Sequence, residues 1–186
     1  MIRTVFACAL TALLCAVSLA PAASAKVFHS KEGALKLAFP DADSVKPMHL
    51  FLSEAQAAEV ERASGTRCPS KLITLYVGEK AGQPMGFAMF DTHLVRTLPA
   101  TFMTVLDLDG RIRSVHILAF HEPQEYLPSR GWLRQFDGKS LTSGLRVRQE
   151  VAGIAGATLS AFAVTKGLRR VLAIFHVALR GSVPQG

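Results

Sequence analysis

The chain of 186 residues carries 21 Lys and Arg against 14 Asp and Glu, a net charge of +7, and is 49% hydrophobic. That length and apolar content suit one domain with one sizeable core and argue against a disordered chain. The surplus of positive charge favours anionic surfaces, but the basic residues are scattered apart from Arg146, Arg148, Arg169 and Arg170. Such a pattern marks a solvated face, and no nucleic-acid-binding module is present.

The first element is a targeting segment. Arg3 supplies charge, VFACALTALLCAVSLA supplies an apolar run, Pro21 breaks it, and Ala23-Ser24-Ala25 has the small-x-small pattern of a cleavage site. Residues 1–25 therefore read as a signal peptide, residues 26–186 as the mature domain, and the protein as periplasmic or otherwise extracytoplasmic. Retention as an uncleaved anchor competes, since the run approaches the ~17–25 apolar residues that span a bilayer; the cleavage pattern favours removal. Neither Cys8 nor Cys15 sits in a lipid-attachment context. With both removed, Cys68 is left without a partner, so no internal disulfide is expected.

Two helices follow. Ser30 caps KEGALKLAF, which Pro40 stops, and Ser53 with Gln56 makes a capping box for EAQAAEVERAS, which Gly65 ends. After Cys68-Pro69 the period changes to that of strands: KLITLYVG, MGFAMFDTHLV, ATFMTVLDLDG and RIRSVHILAF, with turns expected at Gly82, Pro84, Pro99 and Asp109-Gly110. GWLRQFDGKSLTSG predicts a short helix and then loop. A long amphipathic helix is expected from about Leu159 to Leu179, with Val164, Leu168, Val171, Phe175 and Ala178 on one face and Lys166, Arg169 and Arg170 pointing elsewhere. Strands in series between terminal helices predict a single α+β domain whose antiparallel sheet has about four or more strands.

Most chemical motifs fail on inspection. Asp137-Gly138-Lys139-Ser140 holds the GKS of a phosphate loop, but the glycine required five positions earlier is Leu133, so it reads as a turn. Of the six histidines only His116 and His121 lie near each other, beside Glu122, and no metal-ligand spacing supports them; they read as strand or surface residues, and no metal is expected. Ser70 and Cys68 lack an identifiable base. No G-x-G-x-x-G follows a strand.

IAGATLS, residues 154–160, is different. Gly156 and Ala157 remove bulk beside the first turn of the last helix, where unpaired N–H groups and the positive end of the dipole attract anions. Residue type leaves two readings open: Thr158 or Ser160 caps the helix, or the Thr158 hydroxyl carries a phosphate ester stabilised by the helix terminus.

AGATLSAFAVT resembles the flavin-attachment motif of FMN-binding domain proteins, which reads approximately Asp-x-x-Ser/Thr-Gly-Ala-Thr-x-Ser/Thr. That family includes the FMN-carrying subunits of the Rnf and Nqr redox complexes. Gly156, Ala157, Thr158 and Ser160 match, whereas Ala152 and Ala155 replace the Asp and the first Ser/Thr. FHEPQEYLPSRGWLRQFDGKSL, AVTKGLRRVLAIF and THLVRTLPATFMTVLDLDGRI are similar to the small exported branch of the family, so the resemblance covers most of residues 26–186.

The resemblance implies an exported electron carrier rather than an enzyme with its own substrate. Its FMN would be joined through phosphate to Thr158 by a flavin transferase, with a membrane redox protein as electron donor or acceptor. Trp132, Tyr126 and His121 are then candidate contacts of the flavin ring, Trp132 having a core role as the alternative. Glu122 and Glu125 read as loop charges, and Arg146 and Arg148 as partners of phosphate or of water. Two other readings remain: an interaction or sensory module of the same fold without covalent flavin, and a reductase of a small extracytoplasmic oxidant.

Overall fold

A computed structural model describes residues 26–180; the expected signal peptide lies outside them. In chain order the elements are β1 (Lys26–Val27), α1 (Lys31–Ala38), β2 (Ser44–Phe51), α2 (Glu54–Ser64), β3 (Leu72–Lys80), β4 (Gln83–Leu94), β5 (Pro99–Leu106), β6 (Ile112–Phe120), α3 (Arg130–Leu133) and α4 (Thr158–Ala178). Short 3₁₀ turns at Gln124–Tyr126 and Arg134–Phe136 flank α3.

The helices begin where their caps dictate. The Ser30 hydroxyl accepts from the Gly33 N–H at 3.1 Å. Ser53 and Gln56 form the reciprocal box, and Gly65 takes the left-handed conformation (φ 70°) that closes α2.

All strand pairings are antiparallel, in the order β1-β6-β5-β4-β3-β2. The Ala81-Gly82 turn between β3 and β4 has positive φ at both residues, the twist that suits a two-residue hairpin. The β5–β6 connection spans 107–111: the Asp107 N–H donates to the Arg111 carbonyl at 2.9 Å, and Gly110 has φ 78°. A Cβ on Gly110 would collide with the Phe175 ring.

Two expected turns fall inside strands. Pro99 opens β5, where no ladder N–H is needed, and Pro84 pairs with Glu79 beside an irregularity at Gly78/Glu79. The whole of β2 is a strand that no turn or alternation announced.

The sheet separates two apolar clusters. On one face Leu75, Val77, Phe87, Met89, Phe102 and Leu106 pack with Val164, Leu168, Val171 and Phe175 of α4 and with Val60 of α2. On the other, Tyr76, Ala88, Met103, Val105 and Leu118 pack under the short α1 through Ala34, Ala38 and Phe39. Burial of the first, larger cluster fixes α4 across the strands, and with it the position of its N-terminus.

Candidate functional site

The motif loop meets α4 at Ala157, the N-cap, which offers no side-chain oxygen (φ −128°, ψ 42°). Thr158 is the first helical residue and is exposed. The first backbone bond, from the Ala161 N–H to the Ala157 carbonyl, lies beyond the N–H groups of Thr158, Leu159 and Ser160. Neither Thr158 nor Ser160 caps the helix, so the capping alternative is overturned. Its physical reason is placement: Thr158 lies one position too late, and Ser160 is turned inward, 1% exposed.

Two further features open this terminus to an anion. The buried Ser160 Oγ has no hydrogen-bond partner among the described residues. Gly156, at φ 75°, has open space where a Cβ would stand. Uncapped N–H groups, an orphaned hydroxyl and a bare glycine fit the phosphate of FMN, and the first residue of the helix, Thr158, is exposed.

The preceding loop is clamped from α3. Trp132 Nε1 donates to the Ala152 carbonyl at 2.8 Å, and the Ala152 N–H donates to Gln135 Oε1 at 2.7 Å. The Trp132 ring packs edge-on against Phe136, with centroids 5.3 Å apart. Ala152 itself is exposed. Farther back, Arg148 is held at φ 69° and Arg146 Nε donates to the Ser143 carbonyl at 3.1 Å; both side chains are exposed.

Trp132 is thus brought to the motif loop through Ala152. Tyr126 and His121 interact instead with the β4–β5 connection and the start of β5: Arg96 lies 4.8 Å over the Tyr126 ring, and the His121 N–H donates to the Pro99 carbonyl at 3.2 Å.

Three polar groups differ from their sequence reading. Glu122 is no loose loop charge: 5% exposed, its Oε1 accepts from the N–H groups of Arg96, Thr97 and Leu98 at 3.0, 2.7 and 2.8 Å. Burial alone would raise its pKa, but these three donors hold the carboxyl below the ordinary range. Arg169 and Arg170 do not point to solvent. Arg169 donates to the carbonyls of Ala63, Ser64 and Thr142, thereby satisfying the end of α2. Arg170 pairs with Asp91 and donates to His93 Nδ1 at 2.9 Å. His93, a strand residue of β4 as read, has a side chain only 10% exposed. Burial lowers its pKa and Arg170 lowers it further, against the opposing pull of Asp91, so the ring is neutral near pH 7. Because Nδ1 accepts from Arg170, the ring proton is assigned to Nε2, 3.3 Å from Asp91 Oδ2.

Comparison with known proteins bears first on the fold and then on the matched segment. The crystal structure of Shewanella oneidensis NqrC superposes with a TM-score of 0.51 over 82% of this chain and 88% of that one, at 12% identity, so the likeness is one of fold. Residues 98–173 match the model of the FMN-binding domain family, a span running from the start of β5 through the motif loop into α4. The matched span contains Gly156, Ala157, Thr158 and Ser160, the residues by which the motif resembles that family. No curated protein sequence matches.

Proposed function

We propose that the protein is an exported electron carrier whose FMN is esterified through its phosphate to Thr158. The observation that carries this reading is the α4 terminus: an exposed Thr158 hydroxyl beside uncapped N–H groups and the unpartnered Ser160 Oγ. FMN, when bound, supplies reversible one- and two-electron transfer through its isoalloxazine ring.

The residues do the remaining work. Thr158 would lose its hydroxyl proton and form the Oγ–phosphorus bond as the phosphoanhydride of a dinucleotide flavin donor held by a transferase breaks and the nucleoside monophosphate leaves. The N–H groups of the first turn and Ser160 Oγ hold the phosphate charge, and Gly156 admits it close to the backbone. Trp132 and Gln135 fix the loop through Ala152, so the phosphate site stands on a helix and a clamped loop and not on a mobile one. A covalent link keeps the cofactor from being lost outside the cytoplasm, where electrons would pass to or from a membrane redox protein.

The exposed Ala152 and Ala155 favour a second reading, a domain that keeps the fold but is a poor substrate for the transferase and carries no covalent flavin. Absorbance separates the two. Protein exported from cells that express a flavin transferase, then denatured and desalted, retains its yellow colour if the ester forms. Colour lost on desalting would support reversible binding, and colourless protein the module without flavin.

A further inference from the structure

The sheet's β6 edge is closed at both ends and open in the middle. At one end the Ile112 N–H donates to the Lys139 carbonyl at 2.9 Å and the Ile112 carbonyl accepts from Gly138 at 2.7 Å. At the other, the Leu118 carbonyl accepts from the Phe28 N–H at 2.8 Å, next to the two-residue β1. Which groups point outward between them follows from β5. The bonds Asp107–Arg111 and Pro99–His121 show that the odd-numbered residues of β5 bond β6. The pairs Met103↔His116 and Val105↔Ser114 are therefore the bonded ones, and the backbone of Val115 and Ile117 faces away from the sheet. These outward N–H and C=O groups have no backbone partner among the described residues.

They face a cleft of about 620 Å³. One wall is Phe28, His29 and Leu37; the other is built from Leu133, Arg130 and Arg134, the face of the α3 segment opposite to the one that clamps Ala152. Arg130 and Arg134 are exposed and have no ion-pair partner among the described residues, and Asp137 is the one acidic residue of the lining. Between these closed ends the open stretch, Arg113 to Ile117, is roughly 13 Å long at ~3.3 Å per residue, the reach of a short extended segment.

We propose that this cleft takes an extended, acidic segment of a partner protein as an added strand on β6. Its backbone bonds the outward groups of Val115 and Ile117, its carboxylates meet Arg130 and Arg134, and its alternate apolar side chains lie against Phe28 and Leu37. An open edge and an unpaired basic wall are both features that proteins otherwise suppress or pair off, and here they share one cleft. The proposal does not depend on flavin at Thr158.

The test is a nuclear magnetic resonance titration of the isotope-labelled exported protein with the capped peptide Glu-Val-Glu-Val-Glu. Saturable shifts centred on the amides of Val115 and Ile117 are expected. Binding should be lost when the peptide is N-methylated at the residues that face β6, and weakened at least tenfold by Arg130→Glu/Arg134→Glu, whose exposed positions leave the fold intact. No saturable binding at millimolar peptide would overturn the proposal. Equal binding of the N-methylated peptide would also overturn it, because the cleft would then read carboxylates without adding a strand.

Discussion

The two halves of α4 are built to opposite rules. Its first turn has no capping side chain, an exposed Thr158 and an orphaned Ser160 hydroxyl. Its middle is tied to the rest of the fold: Arg169 holds backbone carbonyls 105 and 106 positions earlier, and Arg170 joins Asp91 and His93 of β4, whose Oδ2 and Nε2 lie 3.3 Å apart with no hydrogen-bond partner among the described residues. The contrast teaches how a small domain keeps one end of a helix uncapped while long-range bonds hold its middle. The buried middle anchors the helix firmly enough that its terminus can stay open for a ligand.

Breaking the middle should have the largest effect. Arg169→Met strands the carbonyls of Ala63, Ser64 and Thr142 and should cost about 3–5 kcal/mol, read by urea denaturation. Gly167→Ala places a Cβ against the His93 ring and should cost about 1–3 kcal/mol by overpacking, with a matching drop in the melting temperature.

The same histidine makes this half sensitive to acid. Its folded pKa is lowered, so the unfolded chain binds the proton more readily, and stability rises with pH through the ordinary histidine range near ~6.5. His116 is lowered in the same direction, chiefly by burial. Glu122 adds stability that is present above the ordinary carboxylate range of ~4.3 and is lost as pH falls through its depressed value. Melting temperature measured from pH 4 to 8 should therefore rise, less steeply in His93→Asn than in the parent.

What the sequence made legible was local. Caps at Ser30, Ser53 and Gly65, the four central strands and the span of α4 follow from neighbours within a few residues. β2 was missed because Pro47 interrupts it and its middle, Lys46 to His49, is exposed, so no alternation between a buried and an open face survives. The roles of Arg169, Arg170, His93 and Glu122 were hidden for another reason. Their partners lie 24 to 106 positions away in the chain, and charge on a helix or loop reads as solvated until those partners are placed. At the open end, Gly156, Ala157, Thr158 and Ser160 could be picked out from small residues before a helix, but type alone could not show that the hydroxyls do not cap.

Two smaller perturbations sharpen the comparison at the open end. Trp132→Phe removes the indole bond to Ala152 while keeping the packing on Phe136, and should cost about 1 kcal/mol. Local hydrogen exchange in residues 150–157 should quicken while that of α4 beyond Gly167 stays unchanged. Thr158→Ala should be the mildest of all, under about 1 kcal/mol by thermal melting, because Thr158 does not cap α4.

That mildness makes Thr158→Ala the cleanest probe of cofactor attachment. The decisive measurement is the intact mass of the protein exported from cells that express a flavin transferase, with Thr158→Ala produced alongside. The account predicts a gain of one FMN less one water in the parent and none in the variant. An unmodified parent, with the transferase shown to act on a control protein, would contradict covalent attachment, and a modified variant would move the acceptor away from Thr158.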